Sequence, residues 1–84
     1  MQQQTTAEEL YKTIGRNVSK LRKAKGFSQL DLSLEMGYKS VSVVSGAEIY
    51  YNKIHFNIEH LLKISQIFNV ELCDLFREDS EPTN

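Results

Sequence analysis

The sequence predicts an all-α fold, a compact bundle of five short helices. Three observations carry this. Apolar residues recur at helical rather than strand spacing along most of the 84 residues. A Ser, Thr or Asn stands ahead of each periodic stretch, where a helix N-cap belongs. Glycine or asparagine closes the stretches, and the single proline, Pro82, interrupts none of them. The nearest approach to a strand, Val41-Ser-Val-Val, is too short to stand alone.

The first helix is expected to begin at Thr6, where Thr6-Ala-Glu-Glu9 has the pattern of a capping box. Leu10, Ile14, Val18 and Leu21 then form one apolar stripe. Lys20, Arg22, Lys23 and Lys25 gather in the last turn, where cations suit the helix dipole, and Gly26 is the stop. Ser28 caps a second helix, with Asp31 completing a weaker box. Leu30, Leu32, Leu34 and Met36 supply its apolar surface, Leu30 and Leu34 sharing a face, and Gly37 ends it. A third helix is expected from about Ser40 to Glu48, capped by Ser40, with Val44 and Ala47 facing inward. Residues 49–56 read as a loop carrying bulky groups, with Phe56 buried. Asn57 caps a fourth helix bearing Ile58, Leu61, Leu62, Ile64, Ile67 and Phe68, which stops at Asn69. Val70, Leu72, Leu75 and Phe76 make a short fifth helix or turn. The expected organisation is a flexible N-terminus over 1–5, one domain over 6–76, and an acidic, frayed tail over 77–84.

Length and composition narrow the function. Eighty-four residues suffice for one small domain. No apolar run approaches the ~20 residues that span a bilayer. The start of the chain has neither the basic nor the apolar region of a signal peptide, so a cytoplasmic location is expected. One cysteine, Cys73, rules out an internal disulfide and a cysteine-based zinc site, and it reads as a core thiol. His55 and His60 are five apart and lack ligand neighbours, so no metal is expected. No nucleophile–base arrangement or phosphate-binding glycine loop is present, so neither an enzyme nor a cofactor is expected. The net charge of −1 conceals a division: residues 12–63 carry nine Lys/Arg against four Asp/Glu, while both ends are acidic. Ordinary scatter and a basic binding surface both fit that pattern.

The informative unit is Gly26-Phe-Ser-Gln-Leu-Asp-Leu-Ser-Leu-Glu-Met-Gly37 followed by a short helix. Two short helices joined by a tight glycine-containing turn can cross steeply, so that the second projects into a groove. The major groove of B-DNA admits such a helix. Free amides at the N-terminus of the first helix of the pair suit phosphate. In the loop after the third helix, Tyr50, Tyr51, Asn52, Lys53 and His55 carry donors for backbone phosphates, although the tyrosines equally fit a role covering the core edge.

With these pieces in order, the chain resembles the Cro/phage-repressor class of helix-turn-helix proteins, the XRE family. Ile14-Gly-Arg, Leu21-Arg-Lys-Ala-Lys-Gly-Phe-Ser-Gln and Leu30…Leu34-Glu-Met-Gly37 resemble its first two helices, and Ala47-Glu48 the end of its recognition helix. Asn57-Ile-Glu-His-Leu-Leu-Lys-Ile and Val70-Glu-Leu-Cys-Asp-Leu-Phe76 resemble its fourth and fifth, so the likeness spans roughly 12–76. It implies a repressor-like DNA-binding domain with Gln29 on a phosphate oxygen and Arg22 paired with Glu48 as a structural salt bridge. It places readout at Val41, Ser42, Val43, Ser45 and Gly46, with Lys39 and Ser40 just before and Asn52 and Lys53 after. None of these readout residues is the Arg, Lys, Asn or Gln that direct readout favours, so DNA shape is an alternative source of specificity. Val41 and Val43 fit either a thymine methyl or the core. The resemblance also implies a homodimer through Leu72, Leu75 and Phe76. The expected function is sequence-specific binding of double-stranded DNA as a transcriptional regulator, a repressor, with the third helix in the major groove. The alternative is an antitoxin or other protein-binding module, with a partner such as a toxin and weak or no DNA binding.

Overall fold

The structure is a computed structural model that describes residues 5–78. It contains four α-helices: α1 (Ala7–Ala24), α2 (Gln29–Glu35), α3 (Ser42–Ile49) and α4 (Ile58–Phe68). Two 3-10 turns, Tyr51–Lys53 and Leu72–Leu75, take the places of the expected loop and fifth helix. The five-helix expectation is corrected to four helices with 3-10 turns. Four residues, Leu72–Leu75, are too few to repay the cost of nucleating an α-helix, so the tighter turn forms. The expected flexible start and frayed tail fall largely outside the described residues.

Local chemistry explains three of the helices. Thr6 Oγ1 accepts from Glu9 N–H at 3.1 Å, Ser28 Oγ from Asp31 N–H at 2.9 Å, and Asn57 Oδ1 from His60 N–H at 2.8 Å. In each case the side chain three residues on returns the bond to the cap's own N–H, a complete capping box. The far ends close just as locally. Phe27 N–H donates to Arg22 O and Tyr38 N–H to Ser33 O, the paired-bond stop that needs a left-handed residue just before the donor. Gly26 and Gly37 supply it, at φ of 81° and 97°.

Ile14, Val18, Leu32, Met36, Val44, Ala47, Phe56, Leu61, Ile64, Phe68 and Leu75 form the buried core. Leu30 and Leu34 do share a face of α2, and it is the outer one. Leu32 and Met36 are the buried pair, whereas Leu30 and Leu34 are 47% and 55% exposed. Both pairs have i, i+4 spacing, and the crossing with α3 and the approach of α4 decide between them. Lys63 of α4 donates to Met36 O at 3.1 Å, fixing the end of α2 against the bundle.

Two further expectations fail in the last turn. Leu75 is a core residue at 1% exposure and is unavailable to a second subunit. Cys73 is exposed, because the 3-10 turn directs Leu75 inward and Cys73 outward. Asn17 of α1 ties this segment down, donating to Leu75 O at 2.9 Å and Arg77 O at 2.7 Å. No helix of the described residues is long and apolar enough to cross a membrane.

Candidate nucleic-acid interface

The helix α3 lacks the complete capping box of its neighbours. Its N-cap is Val41, which makes no side-chain cap bond. The expected cap, Ser40, lies one residue earlier, where its Oγ accepts a long 3.4 Å bond from Ser42 N–H and pairs with Ser42 Oγ at 2.9 Å, without the reciprocal bond of a capping box. Gly46 sits mid-helix, which costs about 1 kcal/mol relative to alanine. Tertiary contacts therefore hold α3 in place. Val44 and Ala47 enter the core. Gly15 of α1 permits the closest approach, since a Cβ there would lie 2.6 Å from the carbonyl oxygens of Ala47 and Glu48.

The polar part of this inner face centres on Glu48, which is buried. Arg22 Nε donates to Glu48 Oε2 at 2.8 Å and Arg22 Nη2 to Oε1 at 3.2 Å, a two-pronged grip. Arg22 Nη1 donates to Phe27 O at 2.8 Å, joining the same guanidinium to the α1–α2 connection. Gln29 Nε2 donates to Glu48 Oε1 at 2.9 Å. The carboxylate thus binds α1, α2 and α3 together, and both charges are compensated where water is excluded. An amide nitrogen has two N–H groups, so Gln29 retains one beyond the bond to Glu48.

With its inner face occupied, α3 has one outward stripe. Ser42, Ser45 and Ile49 follow i, i+3, i+7 spacing and share a face. Ser42 is exposed, Ser45 half-buried, and Ile49 72% exposed. Ile49 is absent from the sequence-derived candidates. The sequence places it in the loop after the third helix, whereas α3 extends to include it and turns it outward. The other candidates are distributed around this stripe. Lys39, Ser40, Asn52 and Lys53 are exposed, while Gln29, Val41 and Val43 are half-buried. Gly46 is not groove-facing: it is buried beneath Ile54, whose Cδ1 would lie 2.9 Å from an added Cβ. Of the two tyrosines, Tyr51 is exposed and Tyr50 packs beside Tyr11.

Two titratable groups, one on α2 and one on α4, depart from their ordinary values. The backbone N–H and hydroxyl of Ser28 hold the Asp31 carboxyl below its ordinary value. Burial pushes the His60 imidazole below its ordinary value, with Lys63 and His55 adding to this and Glu59 opposing it. Geometry agrees. His60 Nδ1 accepts from Asn57 N–H at 3.0 Å, so the neutral ring carries its proton on Nε2, which faces the Tyr38 hydroxyl at 2.8 Å. Among the described residues, no group of three His, Cys, Asp or Glu side chains is placed to hold a metal ion.

A helix clamped on its inner face and exposed on its outer one, beyond a short helix and a glycine turn, is the arrangement of a helix-turn-helix DNA-binding domain. Residues 18–75 match the helix-turn-helix (HTH_3) family, and the chain belongs to it, as a DNA-binding regulator of the XRE, or Cro/phage-repressor, type. The family is one of regulators and not of enzymes. No curated protein matches the chain. Among solved structures, it is similar to the restriction-modification controller protein C.AhdI from Aeromonas hydrophila, with 29% identity and a TM-score of 0.67, over 79% of this chain and 96% of that one. It is also similar to the N-terminal DNA binding domain of SinR from Bacillus subtilis, with 28% identity and a TM-score of 0.64, over 82% and 97% of the two chains. A hypothetical transcription factor, NHTF from Neisseria, shares the fold at a TM-score of 0.73, with 21% identity over 94% of this chain and 86% of that one.

Proposed function

We propose that this protein is a sequence-specific transcriptional repressor, acting in the cytoplasm as a homodimer, with α3 in the major groove of its operator. The observation that carries this is the division of α3. Its inner face is committed to Arg22, Gln29 and the core, leaving Ser42, Ser45 and Ile49 as the residues it presents. Hydroxyls bond base edges directly or through water, and Ile49 offers an apolar contact to a thymine methyl. Val41 and Val43, half-buried at the start of the helix, add apolar contacts of the same kind. Lys39, Ser40, Asn52 and Lys53 flank the helix as donors for backbone phosphates, and the second N–H of Gln29 is the one a phosphate oxygen takes.

The proposed dimer surface differs from the one the sequence suggests, because Leu75 is interior. Ile58 and Leu62 stand one turn apart on the outer side of α4, both exposed. A groove beside Ile58 is lined by Leu10 and Phe76, and Leu72 is also half-exposed. A two-fold pairing across this surface sets two α3 helices on successive turns of DNA, ~34 Å apart. Similarity to a restriction-modification controller protein, matched over 96% of its chain, supports a regulatory role. A second reading, a module such as an antitoxin that grips a toxin or another protein, is favoured by the exposure of Leu30 and Leu34 beside the exposed Asp31 and Glu35 on α2.

Binding of the wild-type protein to random-sequence duplex DNA at two salt concentrations, followed by selection of a preferred site, tests the proposal. Salt-sensitive binding and selection of a palindrome with one-turn half-site spacing support the dimeric repressor. No binding at low salt overturns it in favour of the protein-binding module.

A further inference from the structure

The turn after α3 holds a conformation that its own residues disfavour. Tyr50, Asn52 and Lys53 have φ of 58°, 51° and 66°. None is glycine, and of these types asparagine alone enters the left-handed region readily. Such backbone persists where its surroundings over-determine it, and it collects at functional sites. If this turn merely joined α3 to α4, glycine at 52 and 53 would do so without strain. Instead positions 52 and 53 carry exposed side chains with hydrogen-bond donors.

Two anchors hold the turn. On one side Ile54 fills the notch above Gly46. Helical periodicity puts Gly46 about 40° round the axis from Ser42, so the turn borders the exposed stripe of α3. On the other side the His55 ring lies flat on Tyr11 of α1, with centroids 3.8 Å apart and planes at 16°. His55 Nδ1–H donates to Lys53 O at 2.8 Å, which requires the proton on Nδ1 because a carbonyl only accepts. Tyr50 stacks on Tyr11 at 6.0 Å, and Lys12 Nζ stands 5.8 Å from the Tyr50 ring. The first and last parts of the turn are thereby fastened to the same ring of α1.

We infer that Tyr11 and His55 are positioning residues for DNA binding, whose stack fixes the left-handed turn so that Asn52 and Lys53 meet backbone phosphate beside α3. This rests on the DNA-binding reading above. Tyr11 lies outside both helices of the helix-turn-helix and acts through Lys53, never touching DNA itself.

The test is a titration of wild type, Tyr11→Ala, Tyr11→Phe, His55→Ala, Lys53→Ala and Tyr11→Ala/Lys53→Ala against the duplex selected for the wild type. It is run over a salt series, with a melting curve for each variant. Lys53→Ala is expected to flatten the slope of log K against log salt by about 0.9, the signature of one lost phosphate contact. Tyr11→Ala and His55→Ala are expected to lose about tenfold in affinity and to flatten the slope alike, while Tyr11→Phe restores both. The double variant is expected to be no weaker than Lys53→Ala alone, because the two changes remove one contact. A full wild-type slope in folded Tyr11→Ala or His55→Ala overturns the inference and leaves the DNA reading standing. Additive losses in the double variant also overturn it, since Tyr11 then acts through something other than Lys53. Failure of the wild type to bind any duplex at low salt overturns both readings.

Discussion

The two helices of the helix-turn-helix are nearly equal in length and are built on opposite plans. Seven-residue α2 closes both of its ends locally, with a Ser28–Asp31 capping box at one and the Gly37 stop at the other. Eight-residue α3 has no capping box, only a long 3.4 Å bond from Ser42 N–H to Ser40 Oγ, carries a glycine in its middle, and ends on left-handed Tyr50. The difference shows where each helix draws its stability. A self-capped helix is specified by its own residues. A weakly capped one depends on the partners that grip its inner face, which leaves its outer face free to be chosen for binding. In α3 the start carries Ser40, Val41 and Ser42, a poor helix signal and a usable contact surface.

Breaking the grip should have the largest effect. Arg22→Ala leaves Glu48 charged and uncompensated in the interior, with an expected loss of about 3–5 kcal/mol in urea unfolding. Replacing both partners, Arg22→Met with Glu48→Met, should recover most of that, because the unpaired charge rather than the missing attraction is the main cost. A double variant no more stable than Arg22→Ala would show that the bonds themselves hold α3. Next in size is Gly15→Ala. Its Cβ meets backbone oxygens that cannot rotate away, so α1 and α3 must separate, with a loss of about 2–3 kcal/mol.

Changes confined to α2 should be milder. Ser28→Ala removes one capping bond and should cost about 1 kcal/mol. If the plans differ as described, hydrogen exchange should speed up at the start of α2 and stay unchanged in α3. Ser33 offers a smaller change of opposite sign. Its hydroxyl is buried and, among the described residues, has no hydrogen-bond partner, so Ser33→Ala should be neutral or stabilising by up to about 1 kcal/mol in the same unfolding assay.

The smallest effect is on pH dependence and belongs to α4. His60 has its folded pKa below its ordinary 6.5, so the unfolded chain takes up the proton more readily. The stability it contributes is complete above that value and is lost as pH falls from there through the folded pKa. Protonating Nδ1 also forfeits the bond from Asn57 N–H. Unfolding midpoints at pH 7.5 and pH 5 should therefore diverge, and less so in His60→Gln, which lacks the titrating ring.

Reading the sequence succeeds where one element carries its own signal. The caps Thr6, Ser28 and Asn57, the stops Gly26, Gly37 and Asn69, and the stripe of α1 are hydrogen bonds and periodicities spanning three to five residues. Each is visible in a short window. Together with the ordered motifs, they were enough to indicate an all-α helix-turn-helix chain. The same local logic failed where no local signal exists. It assigned Leu75 to a dimer surface and Cys73 to the core, and it could not say which pair of α2 residues is buried. It also passed over Gly15, Ile49 and the Tyr11–His55 stack.

The sequence by itself determined where α1, α2 and α4 begin and end, because those bonds join residues close along the chain. Tertiary structure alone decided the state of α3, the left-handed turn after it, and which of two equally spaced leucine pairs is buried. Those outcomes rest on contacts between distant residues: Arg22 with Glu48, Gly15 with Ala47, and Tyr11 with His55. Periodicity within one segment carries no record of what another segment will press against it.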